Sequence, residues 1–278
     1  MSEKHVTAQL VTTELTGHIL HITLNRPEKL NAANRQLLAE LSEAFSEIDA
    51  NPEVRVAVVS AVGPHFTAGL DLGDIFGGAS AGDSGGATAA DRASNLRIIP
   101  EGSTDPWGVQ TAPVSKPVVV AVSGICFTLG VELILAADIA VADVTTTFGQ
   151  IEVSRGILPF GGATTRFPAR VGWGNAMRWL LTGDTFDAAE AHRIGLVQEL
   201  VPAGEHFERA MTIARSIAAQ APLAVQATMA NARLAARATE AESLGQLNDT
   251  LASLATTKDF AAGMAAFATR STPTFDGR

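Results

Sequence analysis

Two β-branched runs constrain the fold of this 278-residue chain more than any other feature. Residues 54–61 (VRVAVVSA) and 117–122 (PVVVAV) are apolar at most positions. Strands that are buried on both faces have this composition, and they occur in parallel sheets that helices cover. Residues 132–137 then favour a helix, and residues 139–142 return to a strand. The alternation predicts βαβ units and an α/β fold.

The segments around these runs extend the prediction to the whole chain. Residues 7–25 alternate in the manner of strands until Pro27 breaks the pattern. Beyond about residue 185 the pattern is helical, and Asp187 followed by Glu190 resembles a capping box. We therefore expect a core over residues 1–202 and a helical region over residues 203–278. Individual helices are predicted at residues 34–50, 205–220, 223–245 and 258–269.

Two stretches lack the apolar periodicity of regular elements. Residues 77–90 contain almost only small residues and predict a mobile loop, because they cannot bury enough apolar surface to order themselves. Residues 91–115 carry three prolines and predict an irregular connection with at most one short helix.

Composition excludes several classes of function. The net charge of −9 disfavours nucleic acid, whose affinity rests on neutralising phosphates, but a small anionic ligand needs only a local basic cluster. Cys126 is the sole cysteine, which excludes an intrachain disulfide and fits a reducing compartment. Apolar stretches fall short of a membrane span, and the charged first residues do not resemble a signal peptide. We expect a cytoplasmic protein without a membrane or nucleic-acid partner.

Two turns in the chain can expose backbone N–H groups. Residues 63–72 (GPHFTAGLDL) and 124–133 (GICFTLGVEL) each follow a buried strand and lead toward a helix. Free N–H groups at such turns stabilise an anionic oxygen. Each turn by itself is most simply interpreted as an ordinary connection between a strand and a helix. Together the two turns offer the geometry of an oxyanion hole.

Two glutamates stand among apolar neighbours, and each could be an acid or base. Glu132 lies within VELIL, and Glu152 lies within FGQIEV. Taken by itself, each glutamate is most simply interpreted as an exposed helix residue. If it were buried, its pKa would rise toward neutrality. His65 is interpreted as structural. The chain has no G-x-S-x-G nucleophile elbow, no phosphate loop and no clustered metal ligands, so no metal is expected.

The order of short motifs along the chain resembles the crotonase superfamily, the enoyl-CoA hydratase/isomerase family. Residues 66–72 (FTAGLDL) are similar to its first oxyanion-hole signature, and residues 116–124 (KPVVVAVSG) are similar to the strand before the second. The resemblance covers nearly the whole chain. Further matches are 24–32 (LNRPEKLNA), 130–133 (GVEL), 137–142 (ADIAVA), 148–152 (FGQIE), 156–159 (GILP), 166–167 (RF), 181–183 (LTG), 188–191 (AAEA), 195–202 (GLVQELVP), 258–260 (KDF) and 263–264 (GM).

The resemblance implies a spiral core of ββα units with a helical C-terminal trimerisation region, assembled as a homotrimer or homohexamer. It implies an acyl-CoA thioester substrate, with coenzyme A as part of that substrate and no permanently bound cofactor. The backbone N–H groups of Ala68 and Leu129 would hold the thioester oxygen. Glu132 would help to activate a water molecule, and Glu152 would exchange the Cα proton. Further substrate contacts are expected at Lys29, Gly69, Leu70, Asp71, Phe160, Lys258 and Phe260.

Departures from the family pattern concern the choice of substrate. Thr128 and Leu129 replace glycines common in hydratases. Phe160 adds bulk where dienoyl-CoA isomerases often carry aspartate, which argues against dienoyl-CoA isomerisation. The paired glutamates favour hydration of a 2-enoyl-CoA. An isomerase, or another crotonase-type hydrolase or lyase, is the alternative. A non-catalytic acyl-CoA binder is the least favoured, because burying two carboxylates is costly.

Overall fold

A parallel sheet forms the centre of the computed structural model, which describes residues 9–76, 99–237, 253–254, 256–269 and 271–278. The strands are β1 (Val11–Thr16), β2 (Ile19–Leu24), β3 (Val56–Ala61), β4 (Val118–Val122), β5 (Ile125–Phe127), β6 (Ile139–Asp143), β7 (Thr147–Gly149), β8 (Thr185–Asp187) and β9 (Glu199–Val201). The helices are α1 (Arg35–Ala50), α2 (Leu72–Phe76), α3 (Leu129–Ala136), α4 (Ala163–Val171), α5 (Trp173–Thr182), α6 (Ala188–Arg193), α7 (His206–Ala218), α8 (Pro222–Arg237) and α9 (Lys258–Thr269). Short 3₁₀ turns cover Pro27–Lys29 and Glu152–Arg155.

The larger sheet has six strands in the order β1-β2-β3-β4-β6-β9. Strands β1 and β2 pair in antiparallel fashion, and every other neighbouring pair in this sheet is parallel. Helix α1 connects the parallel pair β2 and β3, and helix α3 lies between the parallel pair β4 and β6. The βαβ unit predicted with residues 117–122 as its leading strand is therefore confirmed. Strand β3, the other predicted leading strand, is parallel to β4, and part of the connection between them lies outside the described residues.

Both faces of this sheet are buried, which explains the continuous apolar runs. Along β3, Val56 and Val58 pack on one face together with Ala210 and Ala214 of helix α7. The intervening Ala57 and Val59 belong to the cluster on the opposite face, which includes helices α1 and α3. Successive side chains of a strand point to opposite faces, so a strand covered twice needs apolar residues at each position.

A second sheet has three strands in the order β5-β7-β8. Strand β5 follows β4 after two residues, and β7 follows β6 after three. An isolated parallel bridge joins Thr67 to Cys126 of β5, and another joins Ala33 to Leu70. These bridges fix the turn that follows β3 against the turn that follows β4.

Most predicted elements agree with the structure, but the chain beyond residue 185 is not helical throughout, because β8 and β9 pair there with strands from earlier in the chain. The helix expected over residues 34–50 is Arg35–Ala50, and the side chain of Asn34 caps it by accepting a hydrogen bond from the Leu37 N–H. The side chain of Asp187 accepts from the Glu190 N–H at the start of α6. The sequence placed the start of helix α3 at Glu132, but the helix begins three residues earlier, so this carboxylate lies in its first turn.

Other expectations fall partly outside the described residues. The predicted loop 77–90 lies wholly outside them, as do residues 238–245 of the helix predicted over 223–245. The division into regions 1–202 and 203–278, and assembly into trimers, stay predictions. No helix in the described part of the chain has the length and apolarity to cross a membrane.

The connection from residue 99 to residue 117 contains no helix, and a buried carboxylate organises it. Asp105 accepts hydrogen bonds from the N–H groups of Trp107 (2.9 Å), Val109 (2.8 Å) and Gln110 (2.7 Å). Only 3% of Asp105 is exposed, so water cannot replace these bonds freely. The prolines prevent helix formation here, and the side chain supplies the order that a helix would have given.

We expect Asp105→Ala to lower the free energy of unfolding by about 3 kcal/mol, because it leaves backbone N–H groups buried without acceptors. Urea denaturation followed by circular dichroism would measure the change. Asp105→Asn keeps one acceptor oxygen and should lose about half as much. Equal stability of Asp105→Ala and the wild-type protein would show that the loop does not depend on this carboxylate.

Candidate active site

The turn after β3 is held by backbone hydrogen bonds on both sides. Toward β5, the Thr67 N–H donates to Ile125 O (3.0 Å), and the Phe127 N–H donates to Thr67 O (3.0 Å). On the other side, the Asp71 N–H donates to Ala33 O (3.0 Å), and Gly69 O accepts from the Ala33 N–H (2.7 Å). Since Gly69 O and the Asp71 N–H both point toward Ala33, the N–H between them points to the opposite side.

That intervening N–H belongs to Leu70, and it has no acceptor among the residues that the structure describes. The Ala68 N–H, by contrast, donates to Leu30 O at 2.9 Å. The assignment of the first oxyanion donor to Ala68 is therefore wrong, because that hydrogen is already used within the fold. Leu70 takes its place as the candidate donor. The sequence motif alone could not show this, since the direction of each N–H depends on the partners across the turn.

The second candidate donor begins helix α3. The Leu129 N–H is the first of the helix and makes no hydrogen bond within the described structure, as expected at a helix N-terminus. Its carbonyl oxygen accepts from Trp107 Nε1 (3.0 Å), and Trp107 O accepts from Arg166 Nη1 (2.6 Å). The proline-rich connection thus supports the residue that carries the free N–H.

A cavity of about 200 Å³ brings these groups together. Its walls come from the turn after β3, from the start of α3 and from residues 151–160. They are largely apolar, with two carboxylates and one guanidinium. The lining residues are Ala68, Leu70, Leu72, Thr128, Leu129, Glu132, Ile151, Glu152, Arg155, Ile157 and Phe160.

Glu132 is almost completely buried beside this cavity, with 1% of its surface exposed. Its Oε1 accepts from the Ala163 N–H at 3.1 Å. A Cβ on Gly161 would lie 2.6 Å from Glu132 Oε2, so only glycine lets this backbone pass the carboxylate. Burial raises the pKa of Glu132 from 4.5 to about 7, although the backbone N–H groups of Ala163 and Gly161 act in the opposite direction.

Glu152 is the second carboxylate and begins the 3₁₀ turn Glu152–Arg155. Burial, reinforced by the nearby charge of Glu132, raises the pKa of Glu152 to about 7. Gln150 is fully buried, and with its amide turned to satisfy both neighbours, it donates to Glu152 Oε1 and to Thr128 O at 3.2 Å each. Near neutral pH the two carboxyls can therefore carry one proton between them.

Thr128 holds the backbone in an unusual conformation directly before the free Leu129 N–H. Its φ of 47° and ψ of −109° are unfavourable for a β-branched residue, and its buried hydroxyl has no partner among the described residues. The side chain lies so close to Gly69 that a Cβ there would be 1.9 Å from Thr128 Oγ1. This strain turns the peptide that presents the Leu129 N–H.

Of the remaining substrate contacts expected from the sequence, one lines the cavity and four do not. Phe160 is part of the wall, as expected. Asp71 forms an ion pair with Arg26 (2.8 Å), and this bond together with nearby Lys29 keeps the pKa of Asp71 low. Lys29 is exposed beside this pair. Lys258 and Phe260 lie on exposed positions of helix α9 and do not line the cavity, so their contact with coenzyme A stays a prediction.

The arrangement suits chemistry in which an acyl oxygen becomes negative while protons move nearby. Two N–H donors fixed at the ends of different strands can hold one oxygen. Two carboxyls with pKa values near 7 can give and accept protons at neutral pH. Leu70 lines the cavity as the sequence predicted, but its role as an N–H donor was not predicted. The sequence did not reveal the contributions of Gln150, Gly161 and Arg155, although Gln150 stands in the same motif as Glu152.

Comparisons with known proteins match nearly the whole chain to one family. The family model described as "Enoyl-CoA hydratase/isomerase" matches residues 14–278. A protein of Mycobacterium tuberculosis described as "Probable enoyl-CoA hydratase echA8" is 32% identical over 98% of this chain and 100% of its own length. The peroxisomal "Delta(3,5)-Delta(2,4)-dienoyl-CoA isomerase" of Arabidopsis thaliana is 31% identical over 82% of each chain. The crystal structure of a probable enoyl-CoA hydratase/isomerase from Mycobacterium abscessus has a TM-score of 0.88 and 50% identity, covering 97% of this chain and 99% of that one.

Thr128→Gly should raise the free energy of unfolding by about 1 to 2 kcal/mol. Glycine adopts the positive φ without strain and removes the orphan hydroxyl, and these gains exceed the entropy that glycine adds to the unfolded chain. Thermal and urea unfolding would measure the difference. Thr128→Ala removes only the hydroxyl and should gain less. A loss of stability in Thr128→Gly would contradict the interpretation of this residue as strained.

The two raised pKa values predict a pH-dependent contribution to stability. Between pH 4.5 and about 7 the folded state binds more protons at Glu132 and Glu152 than the unfolded state, so their contribution is complete below pH 4.5 and is lost as the pH rises through 7. The double variant Glu132→Gln, Glu152→Gln should gain stability relative to wild type over this interval, on the order of a few kcal/mol. Urea unfolding at pH 5 and pH 8 measures the change, and parallel pH curves for the two proteins would exclude it.

Proposed function

This chain belongs to the enoyl-CoA hydratase/isomerase family, within the crotonase superfamily, and we propose that it adds water to a 2-enoyl-CoA to give a 3-hydroxyacyl-CoA. The observation that carries the proposal is the presence of two buried carboxylates in the cavity that the free Leu70 and Leu129 N–H groups enter. Isomerisation moves one proton from one carbon to another and needs only one carboxylate. A second one gives the added water a group that activates it.

Activation of the thioester begins at its carbonyl oxygen. The Leu70 and Leu129 N–H groups donate to that oxygen and stabilise the negative charge that it gains as the enolate forms. Both donors are fixed by the strands and helix around them, so little reorganisation is needed during the reaction. A single donor of this kind accounts for roughly 100- to 1000-fold in rate in other enzymes, so two of them supply a large share of catalysis.

Water addition then uses the two glutamates in different protonation states. Ionised Glu132 accepts a proton from water as the hydroxyl oxygen bonds to Cβ, and the π electrons move to the enolate oxygen. Protonated Glu152 then donates its proton to Cα, and the thioester carbonyl is restored. The sum is one water molecule added across the double bond. Return of the proton from Glu132 to Glu152 resets the site, which similar pKa values near 7 allow.

Isomerisation of a 3-enoyl-CoA to a 2-enoyl-CoA is the second candidate. Phe160 supports it, since its bulk in the cavity wall leaves less room for water. The similarity to the dienoyl-CoA isomerase of Arabidopsis thaliana also favours it, although that similarity is no greater than to the hydratase of Mycobacterium tuberculosis. In an isomerase, Glu152 alone would carry the proton between carbons, and Glu132 would not be required.

Glu152→Gln should lower kcat for hydration by about 1000-fold, and Glu132→Gln should lower it by at least about 100-fold, because each amide keeps the shape but cannot exchange a proton. The assay follows loss of the conjugated thioester absorbance with trans-2-enoyl-CoAs of increasing chain length. Glu190→Gln, at a position in helix α6 away from the cavity, is the matched control and should retain full activity.

Three other outcomes would contradict hydration. Near-normal conversion of a 3-enoyl-CoA by Glu132→Gln, with an inactive Glu152→Gln, would identify an isomerase. Release of free coenzyme A would identify a hydrolase. Tight binding of a CoA thioester by calorimetry, without turnover on any chain length, would identify a binding protein.

A further inference from the structure

One positive side chain lines the cavity and has no partner within the described structure. Arg155 ends the turn Glu152–Arg155 and makes no hydrogen bond or ion pair with any described residue. Two other arginines act on residues of the site and are engaged: Arg26 pairs with Asp71 (2.8 Å), and Arg166, whose charge acts on Glu132, donates to Trp107 O (2.6 Å). The guanidinium of Arg155 is therefore the cation in this cavity that is available to a ligand.

The position of Arg155 assigns it to the acyl part of a bound thioester. The thioester oxygen has its candidate donors at Leu70 and Leu129, and the acyl carbons must extend from there toward Glu132 and Glu152 to react. Arg155 stands on the same turn as Glu152. The lysine expected to contact coenzyme A, Lys29, lies instead with Asp71 on the side of the turn after β3. A group that reaches Arg155 is thus attached beyond Cβ.

The chemistry of the wall around Arg155 indicates what that group is. Ile151, Ile157 and Phe160 are apolar, and the buried Glu152 on the same turn forms no ion pair with Arg155 in the described structure. A ligand that fills this end of the cavity removes water from the cation, and that loss is unfavourable unless the ligand brings an anion. A carboxylate matches the planar donors of arginine in a two-point interaction. The small cavity, about 200 Å³, places such an anion a few carbons from Cβ.

We propose that Arg155 makes this enzyme selective for short enoyl-CoA substrates whose acyl chain ends in a carboxylate, which are the mono-CoA thioesters of unsaturated dicarboxylic acids. The proposal rests on the hydration reaction proposed above, and it adds the substrate class. The apolar wall accommodates the chain, and the guanidinium binds its far end. A neutral chain of equal length would give the guanidinium no partner.

The test compares two trans-2-enoyl-CoAs of six acyl carbons, one ending in a methyl group and one ending in a carboxylate. Wild-type kcat/KM should favour the carboxylate by about 10- to 100-fold, the range expected for a charged hydrogen-bonded pair. Arg155→Met should remove this preference by lowering kcat/KM for the carboxylate alone, and Arg155→Lys should keep part of it. Arg193→Met, on the outer face of helix α6, is the control and should not change the ratio.

Binding of the saturated, unreactive analogues separates the two proposals. Calorimetry should show that wild type binds the carboxylate analogue more tightly than the methyl analogue, and that Arg155→Met binds both alike. Discrimination in binding without turnover of either enoyl-CoA would uphold the role of Arg155 and overturn hydration. Hydration of both substrates at equal kcat/KM, or an equal loss on both in Arg155→Met, would overturn the role of Arg155 and leave hydration in place. Because Arg155 is exposed and unpartnered in the described structure, its variants should unfold at the wild-type temperature.

Discussion

The active site depends on a short stretch of backbone held between two neighbours. The turn after β3 is bonded to Ala33 on one side and to strand β5 on the other. The Ala68 N–H is used in a separate bond to Leu30 O, and the pairing with Ala33 leaves the Leu70 N–H facing the cavity. Leu70 thereby lines the same cavity as Leu129, the first residue of helix α3. Without the second sheet the two donors would lie on independent turns, and they could not converge on one oxygen.

The same compact region creates the conditions for acid–base chemistry. Packing that excludes water from Glu132 also brings the backbone of Gly161 against its carboxylate. Burial is the main reason that both pKa values are raised, and the charge of Glu132 raises the pKa of Glu152 further. The cost of burying these groups is tolerated because a well-covered sheet supplies the stabilisation: complete burial of one valine contributes about 1.5 to 3 kcal/mol, and strands β3 and β4 bury several.

The residues that replace glycine at the site, Thr128 and Leu129, affect the backbone as well as the volume of the cavity. Thr128 occupies a backbone conformation that glycine would adopt freely, and its side chain lies against Gly69. The irregular connection compensates through Trp107, which bonds to the carbonyl of Leu129 and is itself held by Asp105 and Arg166. The irregular connection thus supports Leu129, which departs from the family pattern. Thr128 and Leu129 line the cavity, and the Leu129 N–H stays available as a donor.

The sequence by itself determined the elements and the two carboxylates. Runs such as residues 117–122 admit few interpretations other than a strand buried on both faces, since burial of alternate residues is fixed by the geometry of the strand. Ordered motifs likewise identified Glu132 and Glu152. Tertiary structure alone decided which N–H groups are free, and it replaced Ala68 with Leu70. It also brought Arg155 into the cavity. Hydrogen-bond direction and desolvation depend on neighbours distant in the chain, such as Leu30 and Gly161, so no local pattern could have encoded them.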